Sequence, residues 1–260
     1  MKLSIDNSKR KYKALILDVD GTTIPNKKDG MPSPKVVSSL AKAAKYIHIC
    51  LATSRPYKDL AHILDRLNLS GYSIINGGSQ IIDMKSRSFL WEQPILRKDV
   101  QAVIDILSKE NVARVWLNDG KSDITIPTIS LPKIIFQIYI GVNFTIFEAD
   151  NLIAKLSHIS TISAHKVPSW TKGFFCIIIT HALATKQHGI FEIAKLLEIK
   201  THDIIGIGDG YNDFPLLMAC GLKIAMGNAV PELKEIADYI APSVEKDGLV
   251  DVINKFILNV

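Results

Sequence analysis

Cysteine is scarce in this chain of 260 residues, and the three that occur are scattered. Cys50, Cys176 and Cys220 each lie in an apolar run, and no CxxC pair is present. The sequence therefore offers neither a zinc-ligand pattern nor a disulfide framework. Buried free thiols in a reducing compartment are the interpretation that fits this usage.

Long hydrophobic runs are also missing. The longest runs, Ile134–Ile140 and Phe174–Ile179, are far too short to span a bilayer. Residues Met1–Arg10 contain no apolar stretch of the length that a signal peptide needs. We therefore expect a cytoplasmic protein without a membrane partner.

A dense block of one charge is absent as well. The formal net charge of +5 is spread along the chain, which is typical of a solvated surface. No nucleic-acid-binding motif accompanies it, so we expect no nucleic-acid partner. The hydrophobic fraction of 47% and the charged fraction of 22% are those of an ordinary globular protein.

Both ends of the chain alternate short apolar runs with helical patterns. Towards the N-terminus, helices are predicted from Pro34 and from Pro56, between strands at Ala14–Leu17, Tyr46–Ala52 and Tyr72–Ile75. Towards the C-terminus the predicted helices are Gln187–Glu198 and Asp213–Ala219, and the predicted strands are Ile204–Ile207, Lys223–Met226 and Tyr239–Ile240. This rhythm predicts an α/β fold with a Rossmann-like parallel sheet that helices cover on both faces.

The middle of the chain has a different pattern. Strand-like runs occur at Val112–Leu117, Ile134–Ile140 and Phe174–Ile179, and helical patterns at Lys98–Lys109 and Asp150–Leu156. We therefore predict an α+β domain over residues 83–180. It is inserted into a core that comprises residues 1–82 and 181–260.

Carboxylates follow two of the predicted parallel strands. Asp18 and Asp20 come directly after the first strand, and Asp209 and Asp213 follow Ile204–Ile207. Ligands of parallel sheets bind beyond the carboxyl ends of the strands, and hard oxygen-rich clusters suit Mg²⁺. The sequence therefore predicts a magnesium site at this edge. The plainer alternative is a set of Asp-rich turns that end strands; a dinucleotide loop is disfavoured because the glycine spacing is wrong.

Two further segments offer partners for an anion. Thr53 and Ser54 lie at a strand-to-helix junction, where a hydroxyl and free backbone N–H groups can bind an anion. Lys186 stands at the start of a predicted helix, where the helix dipole disfavours a cation, and this indicates a bound anion nearby. Taken singly, a helix N-cap and a solvated lysine are the simpler interpretations.

Together these segments resemble the haloacid dehalogenase (HAD) superfamily. The resemblance rests on DxDGT at Asp18–Thr22, a threonine after the second strand, a lysine, and GDxxND at Gly208–Asp213, in that order. Other segments resemble its Cof-type subfamily, namely Ile75–Gly78, Ala225–Ala229, Glu232–Lys234 and Lys246–Gly248. That subfamily carries a type IIB cap at the place where the inserted domain is predicted.

The resemblance implies an enzyme, a phosphatase that acts on sugar phosphates or similar small phosphorylated metabolites through an aspartyl-phosphate. Asp18 would be the nucleophile, and Asp20 would be the general acid and base. The phosphate ligands would be Thr53, Ser54, Lys186 and Asn212. The Mg²⁺ ligands would be Asp18, Asp20 (through its backbone carbonyl), Asp209 and Asp213.

Two positions depart from the Cof-type pattern. Ser54 stands where glycine is usual and Thr23 where leucine is usual, and we expect neither side chain to supply required chemistry.

Two other functions stay open, a phosphosugar mutase and a phospholigand-binding protein without turnover. The four aspartates argue against the second, because clustered carboxylates repel one another without a metal. Selectivity is expected to come from the cap, and the oligomeric state is not predicted.

Overall fold

The strands in the described part of the chain form two sheets. The computed structural model describes residues 11–27, 29–126 and 131–258. In chain order, the strands of this described part are β1 (Ala14–Leu17), β2 (His48–Ala52), β3 (Tyr72–Ile75), β4 (Gln80–Asp83), β5 (Phe89–Glu92), β6 (Val115–Asn118), β7 (Asp123–Ile126), β8 (Gln137–Phe144), β9 (Ile162–Pro168), β10 (Phe175–His181), β11 (Ile204–Gly208), β12 (Leu222–Ala225) and β13 (Tyr239–Ile240).

The described part of the chain also contains eight α-helices. They are α1 (Pro34–Ala43), α2 (Tyr57–Leu67), α3 (Arg97–Lys109), α4 (Ile146–Leu156), α5 (Lys186–Leu197), α6 (Phe214–Ala219), α7 (Pro231–Glu235) and α8 (Gly248–Ile253). None of the helices in the described ranges combines the length and the apolar character that a bilayer crossing needs. Cys50, Cys176 and Cys220 are buried free thiols, as the sequence predicts.

The larger sheet has the strand order β13-β12-β11-β1-β2-β3-β4-β5. Strand β1 lies near its centre and pairs in parallel with β2 on one side and β11 on the other. All four residues of β1 are fully buried, because helices cover both faces of the sheet. The predicted α/β fold with a central parallel sheet is confirmed.

The predicted elements of the parallel region agree closely with the structure. Helix α2, for example, buries the four predicted apolar residues Leu60, Ile63, Leu64 and Leu67. Strands β4, β5, β7 and β9 were not predicted. Strand β8 begins three residues later than the apolar run at residue 134 and continues to Phe144. Apolar composition indicated burial there, whereas strand pairing set the bounds, with β6 at the start of β8 and with β10 at its end.

The smaller sheet has the order β7-β6-β8-β10-β9 and all of its pairings are antiparallel. Its two faces differ. On β8, Ile138 and Ile140 pack with Val103 of α3 and Leu152 of α4, whereas Gln137 and Tyr139 alternate with them and point to the other face.

The chain passes from the larger sheet to the smaller one after β5 and leaves it after β10. The sequence predicts an insert over residues 83–180, and strand pairing places β5 with the larger sheet. Strand β10 belongs to the smaller sheet as far as His181.

Helix α5 packs unusually close to β3. A Cβ atom at Gly189 would lie 2.7, 2.8 and 2.9 Å from three side-chain carbons of Ile74, which is fully buried. Glycine at this position therefore sets the distance between the helix and the sheet. Since α5 begins at Lys186, this contact also sets the height of Lys186 over the sheet.

The close contact of α5 gives the first prediction. Alanine ordinarily stabilises a helix interior by about 1 kcal/mol relative to glycine. At Gly189 we expect the reverse, a loss of about 1–3 kcal/mol in the free energy of unfolding for Gly189→Ala, because overpacking outweighs helix propensity. Urea denaturation measures the free energy of unfolding of each variant. The control is Lys195→Ala, an exposed position on the same helix, where we expect this free energy to change by about 0.5 kcal/mol or less. A Gly189→Ala protein as stable as the parent would contradict the packing argument.

Candidate active site

Two neighbouring parallel strands bring the aspartates of the sequence motifs together. Leu17 of β1 is in register with Ile207 of β11, so the residues that follow these strands leave the same edge of the sheet side by side. The N–H of Asp18 donates to the carbonyl of Ile207 at 2.9 Å. Carboxylate oxygens of Asp18, Asp209 and Asp213 lie within 4.8 Å of one another, and all three side chains are buried.

Lys186 lies between two of these carboxylates. Its Nζ atom is 2.5 Å from Oδ1 of Asp18 and 2.5 Å from Oδ1 of Asp213, and the side chain is only 2% exposed. Burial alone lowers the pKa of Lys186, but the charges of Asp18 and Asp213 outweigh burial and raise this pKa. The lysine is therefore a fixed ammonium ion and not a solvated side chain.

One ammonium group does not balance three buried carboxylates. Burial, followed by repulsion from Asp213, raises the pKa of Asp18 to about 8 although Lys186 opposes the shift. Burial, followed by the charges of Asp18 and Asp213, also raises the pKa of Asp209 well above its usual value. The fully ionised cluster would therefore carry an excess of negative charge, and its donors are all hard oxygens. This donor set fits a divalent cation such as Mg²⁺.

The acidic loop after β11 is held from within. Oδ2 of Asp213 accepts the backbone N–H groups of Asp209 and Gly210, both at 2.9 Å. The hydroxyl of Thr22 donates to Oδ1 of Asp209 at 3.2 Å. The amide of Asn228 donates to Oδ2 of Asp209 at 3.2 Å. The sequence predicted no role for Thr22 or Asn228. Their place inside the motif segments Asp18–Thr22 and Ala225–Ala229 was the feature that could have indicated one.

The loop after β2 holds the predicted phosphate ligands. The hydroxyl of Thr53 accepts the backbone N–H of Arg55 at 3.1 Å. The amide of Asn212 donates to the hydroxyl of Ser54 at 3.2 Å, which joins this loop to the acidic loop. Nε2 of Gln137 on β8 donates to the carbonyl of Ser54 at 2.9 Å and joins it to the smaller sheet. Ser54, a predicted phosphate ligand, therefore also links this loop to its two neighbours, and the sequence did not predict these two bonds.

Thr23, the other departure from the Cof-type pattern, also makes a contact that leucine cannot make. Its hydroxyl donates to the carbonyl of Asp18 at 2.7 Å, and the side chain is buried. The bond fixes the backbone of the residue that carries the central carboxylate.

Asp20 stands apart from the carboxylate cluster. Arg55 donates from Nε to Oδ2 of Asp20 at 2.8 Å and from its terminal nitrogen to Oδ1 at 2.6 Å. This two-pronged pairing fits an ionised carboxylate. The side chain therefore interacts with the arginine, whereas the three clustered carboxylates are those of Asp18, Asp209 and Asp213. Arg55 had no predicted role, and its position directly after Thr53 and Ser54 was its only signal.

The aspartates open into a cleft of about 750 Å³ between the two sheets. Its floor includes the predicted site residues Asp18, Asp20, Thr53, Ser54, Asp209 and Asn212. Its roof comes from the smaller sheet and includes Trp116, Gln137, Tyr139, Gly141 and Cys176. Lys186 and Asp213 lie behind Asp18, at the buried side of the cluster. The structure thus brings together all eight predicted site residues.

A tight turn at Asn76–Gly78 braces two parts of this site. The N–H of Asn76 donates to the carbonyl of Arg55 at 3.0 Å, and the N–H of Gly77 donates to the carbonyl of Thr53 at 3.1 Å. On its other side, Gly78 has φ = 124°, and a Cβ atom there would lie 2.5 Å from the carbonyl oxygen of Thr185. The turn therefore fixes the loop that carries Thr53 and Arg55 relative to the start of α5 at Lys186.

The fold and the site define a class, α/β enzymes whose parallel sheet carries a cluster of aspartates, bridged by a lysine, at its carboxyl edge. The family profile of the haloacid dehalogenase-like hydrolases matches residues 15–130 and 124–253 of the chain. The chain belongs to the haloacid dehalogenase-like hydrolase family.

Relatives match over nearly the full length. The chain is 24% identical over 266 residues to the 5-amino-6-(5-phospho-D-ribitylamino)uracil phosphatase YcsE of Bacillus subtilis. This alignment covers 98% of this chain and 100% of that protein. A haloacid dehalogenase-like hydrolase from B. subtilis has a similar fold, with a TM-score of 0.81 and 18% identity over 93% of this chain and 99% of its own. The subclass IIB sugar phosphatase BT4131 superposes with a TM-score of 0.78 and 22% identity, over 94% and 98% of the two chains.

The brace at Gly78 can be tested by substitution. In Gly78→Ala the new Cβ would displace Thr185 and with it Lys186, so we expect kcat/KM for a phosphomonoester to fall at least about tenfold, or about 1.4 kcal/mol. Gly173→Ala is the matched control, because Gly173 also has positive φ, at 84°, but a Cβ there meets nothing within 4 Å. The control carries only the backbone strain of about 1–3 kcal/mol in stability. Equal kinetic effects of the two variants would contradict the bracing role.

Proposed function

We propose that this enzyme is a phosphatase that hydrolyses small phosphomonoesters, such as sugar phosphates, by transferring the phosphoryl group to Asp18. The observation that carries the proposal is the carboxylate of Asp18 at the floor of the cleft, 2.5 Å from the ammonium of Lys186. The phosphatase names of full-length relatives support it. The sugar phosphatase among the structural neighbours supports the substrate class.

The proposed reaction has two displacements. An oxygen of Asp18 attacks phosphorus, the ester P–O bond breaks, and Asp20 gives a proton to the departing alkoxide. Water then attacks the phosphorus of the aspartyl-phosphate while Asp20 takes up its proton, and inorganic phosphate and the Asp18 carboxylate are released. Because Arg55 engages both oxygens of Asp20, this ion pair must open before Asp20 can donate a proton.

The remaining polar groups act on charge and position. Lys186 reduces the repulsion between the Asp18 carboxylate and an incoming phosphate dianion. Thr53, Ser54 and Asn212 border the same cleft and would bind the phosphoryl oxygens. Positioning and charge neutralisation are what phosphoryl transfer mainly requires of a protein.

We propose Mg²⁺ as the cofactor, held by Asp18, Asp209 and Asp213 together with the backbone carbonyl of Asp20. When bound, the ion supplies the positive charge that the cluster lacks and that a phosphoryl group needs. The oxygen-only donor set and the raised pKa values of Asp18 and Asp209 support this assignment.

We further propose that residues 83–180 act as a cap over the core of residues 1–82 and 181–260. The roof of the cleft belongs to this segment, and the ion pair of Lys58 with Asp123, 2.6 Å long, joins the two parts across the cleft. A lid of this kind excludes water and contacts the part of the substrate beyond the phosphate. We expect the enzyme to work on phosphorylated metabolites of the cytoplasm, where buried free thiols persist.

The metal assignment predicts that turnover depends on a divalent cation. Hydrolysis of p-nitrophenyl phosphate should stop in excess chelator and return with Mg²⁺. In calorimetric titrations, Asp209→Asn should bind Mg²⁺ at least about tenfold more weakly, a loss of about 1.4 kcal/mol. Asp65→Asn, which changes an exposed carboxylate paired with Arg87, should bind Mg²⁺ like the parent. Full activity of the exhaustively chelated enzyme would refute the assignment.

The nucleophile assignment predicts different fates for two neighbouring aspartates. Asp18→Asn removes the attacking oxygen and should form no phosphoenzyme. Asp20→Asn retains the nucleophile but lacks the proton shuttle, so it should lower kcat by about 10²–10⁴. With p-nitrophenyl phosphate, whose leaving group needs little protonation, dephosphorylation should suffer most and phosphoenzyme should accumulate.

Quenching each variant during turnover and assaying acid-stable, hydroxylamine-sensitive phosphate on the protein tests this pair. Release of free phosphate by the parent distinguishes a phosphatase from a phosphomutase. Normal phosphoenzyme in Asp18→Asn would require another residue as nucleophile.

A further inference from the structure

Two aromatic side chains stand on the face of the smaller sheet that roofs the cleft. On β6, Val115 and Leu117 are 2% and 0% exposed and pack under the helices, so Trp116 between them points to the opposite face. Trp116 is directly opposite Tyr139 of β8 in the strand pairing. The ring centroids are 5.7 Å apart and the ring planes are tilted by 34°.

A missing side chain makes room for this pair. A Cβ atom at Gly141 would lie 2.6 Å from Cζ3 of Trp116 and 3.0 Å from Cε1 of Tyr139. The six-membered ring of Trp116 therefore lies over the bare backbone of β8, next to the ring of Tyr139. Neither aromatic residue is buried, and all three residues line the cleft that contains Asp18. The pair thus presents two adjacent aromatic rings, tilted by 34° to each other, to the cleft that Thr53 and Ser54 also line.

Three polar side chains of the roof, those of Asn143, Ser169 and Thr171, are hydrogen-bonded to one another. The hydroxyl of Ser169 donates to Asn143 at 2.6 Å, and the amide of Asn143 donates to Thr171 at 3.1 Å. Tyr139 is next to the Cys176 thiol and near Asp20, in the loop that follows β1. A substrate that extends from Thr53 and Ser54 towards this part of the roof therefore meets the two aromatic rings beside polar groups that already have partners, and Arg114 lines the same cleft.

We propose that Trp116 and Tyr139 form a stacking platform that binds a ring in the alcohol part of the substrate. The substrate class would be phosphomonoesters whose phosphate is carried on a short arm from a ring with a flat face, either a heteroaromatic ring or a pyranose ring. Ring faces of both kinds pack on indole and phenol rings, and such contacts are favoured over contacts of an acyclic chain of similar polarity. This proposal rests on the proposed phosphatase function.

Three compounds with phosphate on a CH₂ group test the platform. Pyridoxine 5′-phosphate carries a heteroaromatic ring, glucose 6-phosphate carries a pyranose ring, and glycerol 3-phosphate carries no ring. The readout is the ratio of kcat/KM for each ring compound to kcat/KM for glycerol 3-phosphate. In Trp116→Leu we expect the ratio for the favoured ring to fall about tenfold, mainly through KM.

Further variants separate stacking from structure. Trp116→Phe keeps a flat face and should retain most of the ratio, whereas Gly141→Ala should lower it because the new Cβ displaces both rings. Trp91→Leu removes an indole from β5, which does not line the cleft, and should leave the ratio unchanged. The compound whose ratio falls identifies the kind of ring. Equal changes for all three compounds, or none, would overturn the platform.

Binding provides a readout that does not depend on turnover. In an Asp18→Asn background, Kd for the two ring compounds is measured by calorimetry with and without Trp116→Leu. A rise of about tenfold in Kd for a ring compound supports the platform even if the phosphatase proposal fails. An unchanged Kd, or no binding of either ring compound by the Asp18→Asn protein, would overturn it.

Discussion

The ammonium of Lys186 between the carboxylates of Asp18 and Asp213 is the interaction on which the rest of the site depends. A buried ion pair is stable only when its geometry is good and its remaining polar atoms are bonded, because removing charges from water costs several kcal/mol per ion. Here Lys186 lies 2.5 Å from each partner, and the second oxygen of Asp213 accepts two backbone N–H groups. The carboxyl ends of β1 and β11 and the start of α5 must therefore meet at one point. The rest of the fold serves that requirement, from the parallel pairing of β1 with β11 to the glycine that lets α5 approach β3.

This arrangement also explains the unfavourable position of a lysine at the start of a helix. The helix dipole opposes a cation at that end. The two carboxylates outweigh both that effect and burial, as the raised pKa of Lys186 indicates. Burial and repulsion from neighbouring carboxylates raise the pKa values of Asp18 and Asp209, so full ionisation of the cluster is disfavoured without further positive charge. A divalent cation at this site would reduce the repulsion among the carboxylates. A cation that binds the native state also raises the free energy of unfolding by mass action.

Much of the core fold and of the aspartate cluster could be predicted from the sequence, because the patterns that indicate them are short and local. Motif residues that directly follow strands of a parallel sheet share one edge whatever the details of packing, so Asp18 and Asp209 had to meet. Strand and helix periodicity likewise located the core elements. Strands β4, β5 and β7 were not predicted because four residues are too few to show a period. Strand β9 was not predicted because all seven of its residues are half-buried, so burial does not alternate along it. The pairing of Arg55 with Asp20 and the bonds of Ser54 escaped because they join residues far apart in sequence, and no local pattern records such contacts.

The smaller sheet contributes more to the site than a cover. Its pleat divides β8 into a helix-facing row that stabilises the domain and a cleft-facing row in which Gln137 reaches the carbonyl of Ser54. The loop that would hold the phosphate is therefore fixed from two sides, by Asn212 of the acidic loop and by a residue of the roof. A shift of the roof would break the bond from Gln137 to Ser54 and leave the bond from Asn212 to Ser54. The position of the smaller sheet and the shape of the loop that carries Ser54 are therefore coupled. Because Tyr139 is only two residues beyond Gln137 on the same face, the surface that would contact the substrate moves with the residue that holds the loop.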